Sequence, residues 1–510
     1  MQQLLESAGG VRLREILPQG QFFGGSDIRI HSCCGDWRSV EPGDTYIALV
    51  DGDGDGHDEV GRAIERGAKA VVAERFLPVR VPMCVVPDTR EAYGKICQRL
   101  AGQPDQSMRL IGVTGTHGKT SASLLITRML EAAEHFVGAT TSLGYFDAAS
   151  SRVAPRTTPG PPELANWLAR MVGNGCSHAV VEVSSESLAC RHLAGVEFDA
   201  AVLTNIRREH LDLHGNVQNY QRAKRRLFKQ LKPNGFAVLN VDDPTTRALM
   251  PQLEVPQITV GMNADATLQA QVIDRCPSEQ TFLLSAGQEA VPVRTRTIGD
   301  QYVYCCLAAA AVGLVMGVNL TTIVRGIESL EHVPGRLERL ECGQTYGVFV
   351  DCAQTPDALA ISLATLRQVT AGRVICVFGA THETSGELRA SLGRVVERSA
   401  DIGVITSNDP LHEEPLQISH DILDGYRKPG RAHVIPDRGK AIRWALREAN
   451  PGDVVLLAGK GERDAQLLSN GPIPFDDRQV ARDCLYGLPP QQSYSGMPAT
   501  IPFTPRCHWN

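Results

Sequence analysis

Three observations predict an α/β protein of three domains. The chain has 510 residues, too many for a single hydrophobic core. Short apolar runs alternate with helix-like segments along most of its length, the pattern of parallel sheets covered by helices. Residues 110–121 read LIGVTGTHGKTS, an apolar strand that enters a glycine turn and then a helix. Domains are expected over 1–104, 105–333 and 334–490, followed by a Pro-rich tail over 491–510 that is expected to be disordered.

Composition narrows the function classes. Hydrophobic residues make up 43% and charged residues 21%, which fits a soluble globular protein. A net charge of -6 argues against nucleic acid as a partner. Basic clusters at Arg207-Arg208 and over 224–229 are read as a helix face or a phosphate-facing patch. The 14 cysteines show no Cys-x-x-Cys spacing, so reduced thiols are expected. The opening MQQLLESAGG lacks the pattern of a signal peptide, and the apolar run over 305–318 is too short to span a bilayer. A cytoplasmic protein without membrane insertion is expected.

In chain order, residues 27–74 alternate short β-type runs and turns before a helix and the strand AVVAE. The strand MCVVP and a helix from Thr89 complete a small α/β module, closed by the polar joint AGQPDQSM. Asp-Gly repeats over 51–56 lack the spacing and terminal Glu of a calcium loop. After the glycine turn come GATTSLGYF and a helix in PPELANWLARMVGNG that Asn174-Gly175 should cap. HAVVEVSSES and FDAAVLTNIRREHLDLHG each read as a buried parallel strand with a polar end. Ligands of doubly wound sheets gather at the carboxyl ends of strands, so Glu182, Ser184, Asn205 and His210 should converge near the glycine turn. The helix NYQRAKRRLFKQL, the strand FAVLN, short strands over 256–297 and helices over 302–316 and 320–330 complete the second domain. The third alternates strands and helices again, as a second open sheet.

The glycine turn is a phosphate cradle built from Thr114, Gly115, Thr116, His117, Gly118, Lys119, Thr120 and Ser121. Glycines let backbone N–H groups turn inward on an anion, Lys119 adds a point charge, and the Thr120 hydroxyl can hold Mg²⁺. The strict pattern would place Gly at Val113, so this is a variant P-loop. Glu182 and His210 are the candidate Mg²⁺ ligands, since phosphoryl transfer needs charge neutralised along the triphosphate.

The motifs GVTGTHGKT, TTP at 157–159, EVSS at 182–185, FDAAVLTNIRREHLDLHG and YQRAKRRLF resemble those of the Mur ligases. Their order and spacing are closest to the branch that adds the third residue of the peptidoglycan stem peptide. RSVEPGDTYIAL and DGH are similar to that branch's uridine-nucleotide domain, and VPGRLE, VDCAQTPDAL, DPLHEEP, PDRGKAI and LLAGKG to its third domain. The likeness covers nearly the whole chain.

That resemblance implies a three-domain architecture: an N-terminal domain for the UDP-sugar, a central P-loop ATPase-like sheet, and a Rossmann-like amino-acid-binding domain. It implies an ATP- and Mg²⁺-dependent amide ligase acting on UDP-N-acetylmuramoyl dipeptide and an amino acid. ATP phosphorylates the free carboxylate, and the incoming amine attacks the acyl phosphate. Lys119, Lys224 and His210 would be catalytic, with Lys224 carbamylated and joining Thr120, Glu182 and His210 around the metal. Carbamylation needs a neutral amine, which burial or the neighbouring Arg225 and Arg226 would favour. Asn205, Arg336 and Asp351 would join the P-loop in binding ATP. Arg38, Thr157, Thr158, Ser184, Arg191 and His192 would contact the UDP-substrate, and Asn408, Asp409, Gly459 and Arg463 the amino acid. A monomer is expected.

Several positions depart from the family pattern. Asp36-Trp37-Arg38 stands for Asp-Ser-Arg, Glu186 for His, and His192 for Arg, with Arg191 beside it. Cys352-Ala353-Gln354 replaces Tyr-Ala-His, and ATHETSGELRA from Ala380 replaces the usual loop. Asn408-Asp409-Pro410-Leu411 replaces Asp-Asn-Pro-Arg, and Glu462-Arg463 replaces the His-Glu that follows Gly459-Lys460-Gly461. Arg463 and Arg389 are candidates to supply the cation that Leu411 lacks. The departures support a second reading, a catalytically impaired paralogue that binds ATP or the UDP-sugar precursor in a regulatory role. A folylpolyglutamate-type ligase is disfavoured by PGDTYIAL and DGH.

Overall fold

The computed structural model describes residues 10–52, 54–207 and 211–487. The tail expected over 491–510 and the candidate ligand His210 lie outside the described residues. Contacts divide the described chain into one unit over 10–267 and 308–326 and another over 268–307 and 327–487.

The first unit opens with a five-stranded sheet ordered Gln21–Phe23, Met83–Val85, Ala70–Ala73, Thr45–Ile47 and Cys33–Cys34. Its pairs are parallel except at Gln21–Phe23. Ala70–Ala73 is buried throughout, and the helices Val60–Glu65 and Thr89–Leu100 supply apolar side chains to the two cores around the sheet. Asp88 caps the second helix by accepting from Glu91 N. The Asp-Gly segment is a hairpin, Val50–Asp51 with Gly54–Asp55, whose Asp55 binds His57 N and Arg75.

The central sheet of this unit carries the parallel strands Val137–Thr141, His178–Glu182, Arg109–Thr114, Phe198–Leu203, Leu231–Asn240 and Gln257–Gly261, in that order. Gly144–Phe146 and Ser151–Arg152 extend its first edge antiparallel. The register aligns Val113 with Glu182 and Thr114 with Leu203, so three strands end side by side. Helix Lys119–Ala132 follows the glycine turn, and Pro161–Gly173 ends at Asn174 with Gly175 at φ +80°, the capping expected. The single helix expected over NYQRAKRRLFKQL instead breaks into Val217–Arg225 and the tighter turn Leu227–Gln230. Arg226 N bonds three residues back to Ala223 O, while its guanidinium donates to Leu188 O and Ala189 O. The strand read as FAVLN begins earlier, at Leu231, through a register shift against Phe198–Ala200.

In the second unit, Leu268–Cys276, Glu279–Ala286 and Glu289–Thr295 form an antiparallel meander. A six-stranded sheet follows, ordered Glu338–Arg339, Gly347–Asp351, Val454–Ala458, Val374–Phe378, Ile402–Ile405 and Ala432–Val434. It is parallel after its first strand, with a core on each face. The departure read as a substituted loop, ATHETSGELRA, runs into a helix, Gly386–Ser399, which buries Leu392 and Val396. The described residues close with the hairpin Ala465–Leu468 and Gly471–Pro474 and the helix Asp477–Leu485, docked by a fully buried Arg438–Asp477 pair.

Candidate functional site

The glycine turn is held from beneath by the end of the neighbouring strand. A Cβ at Gly115, φ +155°, would stand 1.8 Å from Thr204 Oγ1, so only glycine fits. Asn205 grips the turn from both sides: its Oδ1 accepts from His117 N at 3.0 Å and its Nδ2 donates to His117 O at 3.1 Å. Thr204 Oγ1 also donates to His117 O, and Thr116 N donates to Asn205 O. Gly118, φ +82°, opens the helix with no side-chain cap among the described residues, and the amides of a helix's first turn suit an anion. Thr114 Oγ1 anchors the turn's entry on Val183 O, and Ser121 is buried in the first helical turn. Lys119 Nζ donates to Gly115 O and Thr116 O, so its charge stays at the mouth of the cradle.

Beside the cradle lies a cluster of hard oxygen donors. Thr120 Oγ1 is 3.1 Å from Glu182 Oε1 and 3.0 Å from Ser142 Oγ, and Ser142 N donates to Glu182 Oε2. Glu182 is buried. Two hydroxyls and a carboxylate suit Mg²⁺ rather than a softer metal. Among the described residues no three His, Cys, Asp or Glu side chains gather around a possible ion. Lys224 is also buried, with Nζ 2.8 Å from Gly115 O and 4.6 Å from the Tyr220 ring centre, while Tyr220 OH meets Thr116 Oγ1 at 2.9 Å.

The expected convergence at the strand ends is observed for Glu182 and Asn205, which touch the turn or its helix directly. Ser184 joins at one remove: its N donates to Thr158 Oγ1, which donates to Glu182 O. Ser184 Oγ accepts from Ser187 N and caps the short helix Ser185–Ala189, and half-buried Thr157 precedes Thr158. Ser142, Thr204 and Tyr220 were missed by sequence reasoning. Ser142 and Thr204 directly follow strands, so the strand-end rule could have found both; Tyr220, on a helix, carried no such signal.

Arg191 adopts φ +60° and faces Asp88 at 3.5 Å and Glu91 at 3.8 Å, at the start of helix Thr89–Leu100. Burial lowers the pKa of His192, with Glu186 opposing. Arg38 is exposed and pairs with Asp36 at 3.3 Å; its guanidinium and that of Arg62 lie 5.1 and 5.0 Å from the Trp37 ring centre.

In the second unit, Arg336 pairs with Glu462 at 2.6 Å. Asp351 accepts from Leu337 N, Ala353 N and Ser362 Oγ, while burial pushes its pKa up. Asn408 is fully buried with neither amide atom hydrogen-bonded among the described residues, and it packs against Gly459, φ +111°. Asp409, φ +52°, meets Lys460 at 2.9 Å and Arg463 at 3.4 Å. Burial works to raise the Asp409 pKa, but Leu467 N and Lys460 outweigh it and hold it low. Arg389 does not supply a free cation. Its guanidinium is buried against Glu413 and Asp421 and donates to the carbonyls of Thr381 and His382.

The family model for the Mur ligase middle domain matches residues 113–313, and that for the Mur ligase glutamate ligase domain matches 335–461. A UDP-N-acetylmuramoyl-L-alanyl-D-glutamate--2,6-diaminopimelate ligase of Geobacillus thermodenitrificans (strain NG80-2) is 38% identical over 455 residues, covering 88% of this chain and 93% of that protein. A UDP-N-acetylmuramyl-tripeptide synthetase of Roseiflexus sp. (strain RS-1) is 36% identical over 477 residues, covering 89% and 94%. A solved structure of a UDP-N-acetylmuramoyl-L-alanyl-D-glutamate--2,6-diaminopimelate ligase superposes with TM-score 0.68 at 28% identity, covering 94% of this chain and 99% of that one. The Thermotoga maritima MurF ligase in complex with ADP shares the fold at TM-score 0.60 and 20% identity, covering 90% and 96%. With two family models along its length and relatives matched almost end to end, this α/β chain belongs to the Mur ligase family.

Proposed function

We propose that this protein is an ATP-dependent amide ligase that adds an amino acid to UDP-N-acetylmuramoyl dipeptide through an acyl phosphate. The observation that carries the reading is the cradle, Gly115 to Lys119, held by Asn205, with the Thr120–Ser142–Glu182 oxygen cluster at its side. The cradle's amides and Lys119 bind and orient the triphosphate, and Thr120, Glu182 and His210 hold Mg²⁺, which when bound neutralises charge on the transferred phosphoryl group. Lys224, buried beside Gly115, is the site of carbamylation and adds a metal-binding anion. Asn205, Arg336 and Asp351 complete the ATP contacts. Arg38, Thr157, Thr158, Ser184, Arg191 and His192 bind the UDP-substrate, and Asn408, Asp409, Gly459 and Arg463 the amino acid. Domains over 1–104, 105–333 and 334–490 divide these tasks.

The impaired-paralogue reading rests on the third-domain departures. Two of these have new partners: Glu462 engages Arg336, and Gln354 donates to Gly459 O at 2.7 Å. The cradle's hydrogen bonds and the Thr120–Ser142–Glu182 oxygen cluster support turnover. A monomer working in the cytoplasm fits this chemistry; among the described residues no helix is long and apolar enough to cross a membrane. The test is phosphate release by purified protein with ATP, Mg²⁺, UDP-muramoyl dipeptide and a panel of amino acids. Amine-dependent release is expected; ATP binding without release under any amine would favour the regulatory paralogue.

A further inference from the structure

We propose that Cys33 and Cys97 form a reversible disulfide by exchange with a small-molecule disulfide, tying strand Cys33–Cys34 to helix Thr89–Leu100. The two sulfurs lie 3.8 Å apart although 64 residues separate them in sequence. A disulfide bond is about 2.05 Å long, so closure needs a travel of roughly 1.8 Å, within reach of modest side-chain rotation. Both side chains lie in the first domain, so the pairing does not depend on the ligase reading.

The surroundings select this pair over its neighbours. Cys33 is half-buried, whereas Cys97 is fully buried. Cys34 is adjacent in sequence, but its Sγ donates to Asp36 O at 3.1 Å, and burial pushes its pKa up to about 11. Cys84, of the same sheet, is buried and likewise raised to about 11. The less buried thiol is therefore the attacking one and the fully buried thiol the resolving one.

The exchange balances in two steps. The Cys33 thiolate attacks one sulfur of the reagent, forming a mixed disulfide and expelling the other half as a thiolate. Cys97 then gives its proton to that leaving thiolate and attacks Cys33 Sγ, expelling the second half, which takes up the proton first lost by Cys33. One small disulfide is reduced to two thiols as the protein dithiol is oxidised. Burial raises the Cys97 pKa, with Cys33 adding to it, so the second step is the slow one.

The link would brace the turn that follows. Gly35 packs so closely against Tyr93 of the same helix that a Cβ there would lie 3.2 Å from its ring, and Asp36, Trp37 and Arg38 come next in the chain. The full-length protein is incubated with glutathione disulfide, alkylated and analysed by intact mass and peptide mapping. A loss of two hydrogen atoms is expected, with a Cys33–Cys97 cross-linked peptide that dithiothreitol reverses. Cys34→Ser should retain the link, whereas Cys33→Ser should lose it and Cys97→Ser should leave Cys33 carrying glutathione. The proposal is overturned if Cys33 in the unsubstituted protein keeps glutathione while Cys97 remains alkylatable, if Cys33 joins Cys34, or if neither thiol reacts.

Discussion

Among the described residues the Lys119 ammonium bonds only to carbonyls of its own turn, and on the proposed reading its charge serves the triphosphate. We expect Lys119→Ala to lower kcat by roughly a hundredfold or more while circular dichroism and thermal unfolding stay unchanged. Unaltered turnover would remove the P-loop assignment. Lys224 differs because it is buried beside Gly115. With ¹³C-bicarbonate, a carbamate carbon resonance is expected in the parent and absent in Lys224→Gln; full activity of Lys224→Ala would refute its role. The placement of both lysines at the glycine turn was legible in the sequence, but for different reasons. Lys119 follows from the local Gly-Lys-Thr motif, whereas Lys224 came only through resemblance. Its approach to Gly115 joins positions 109 residues apart, a pairing no local window contains.

At the level of elements, the helix Asp477–Leu485 is docked by an ion pair with no solvent access on either side. Asp477 accepts from Arg438 Nε and Nη2, and Arg438 also donates to Ala458 O at the end of a core strand. Asp477→Ala leaves a buried guanidinium uncompensated, so a loss of about 3 to 5 kcal/mol is expected by urea unfolding. A variant of parental stability would show that the pair is dispensable. His178, at the start of a central strand, provides a pH probe. Burial first, and the neighbouring His135 second, lower its pKa to about 4 from an ordinary 6.5. The unfolded chain therefore binds the proton more readily, and stability falls as pH drops from 6.5 towards 4. This contribution is on the order of 3 kcal/mol, complete above pH 6.5. His178→Asn should flatten that part of the pH–stability curve, and an identical slope would refute the assignment. Strands of the central sheet were legible because both faces are buried and their sequences are continuously apolar. Helix Gly386–Ser399 was not, because its buried Arg389 reads as polar and is compensated only by Glu413 and Asp421 further along the chain.

Over the whole molecule, the sequence carried the fold class and the shape of the glycine turn better than the choice of amine. Leu411 offers no cation, Arg389 is neutralised by two carboxylates, and Arg463 already faces Asp409. We therefore expect no strong selection of diaminopimelate through this loop. Paired kcat/KM values for diaminopimelate and lysine test this: a large preference for diaminopimelate that survives Arg463→Ala and Arg389→Ala would overturn it.

Asn205 holds both the amide and the carbonyl of His117, and this clasp has a kinetic consequence. The bonds that shape the turn come from the chain itself, so we expect ATP to be captured without a separate ordering step. Capture should follow a single encounter step, and slow amide exchange at His117 in the nucleotide-free protein would be its signature.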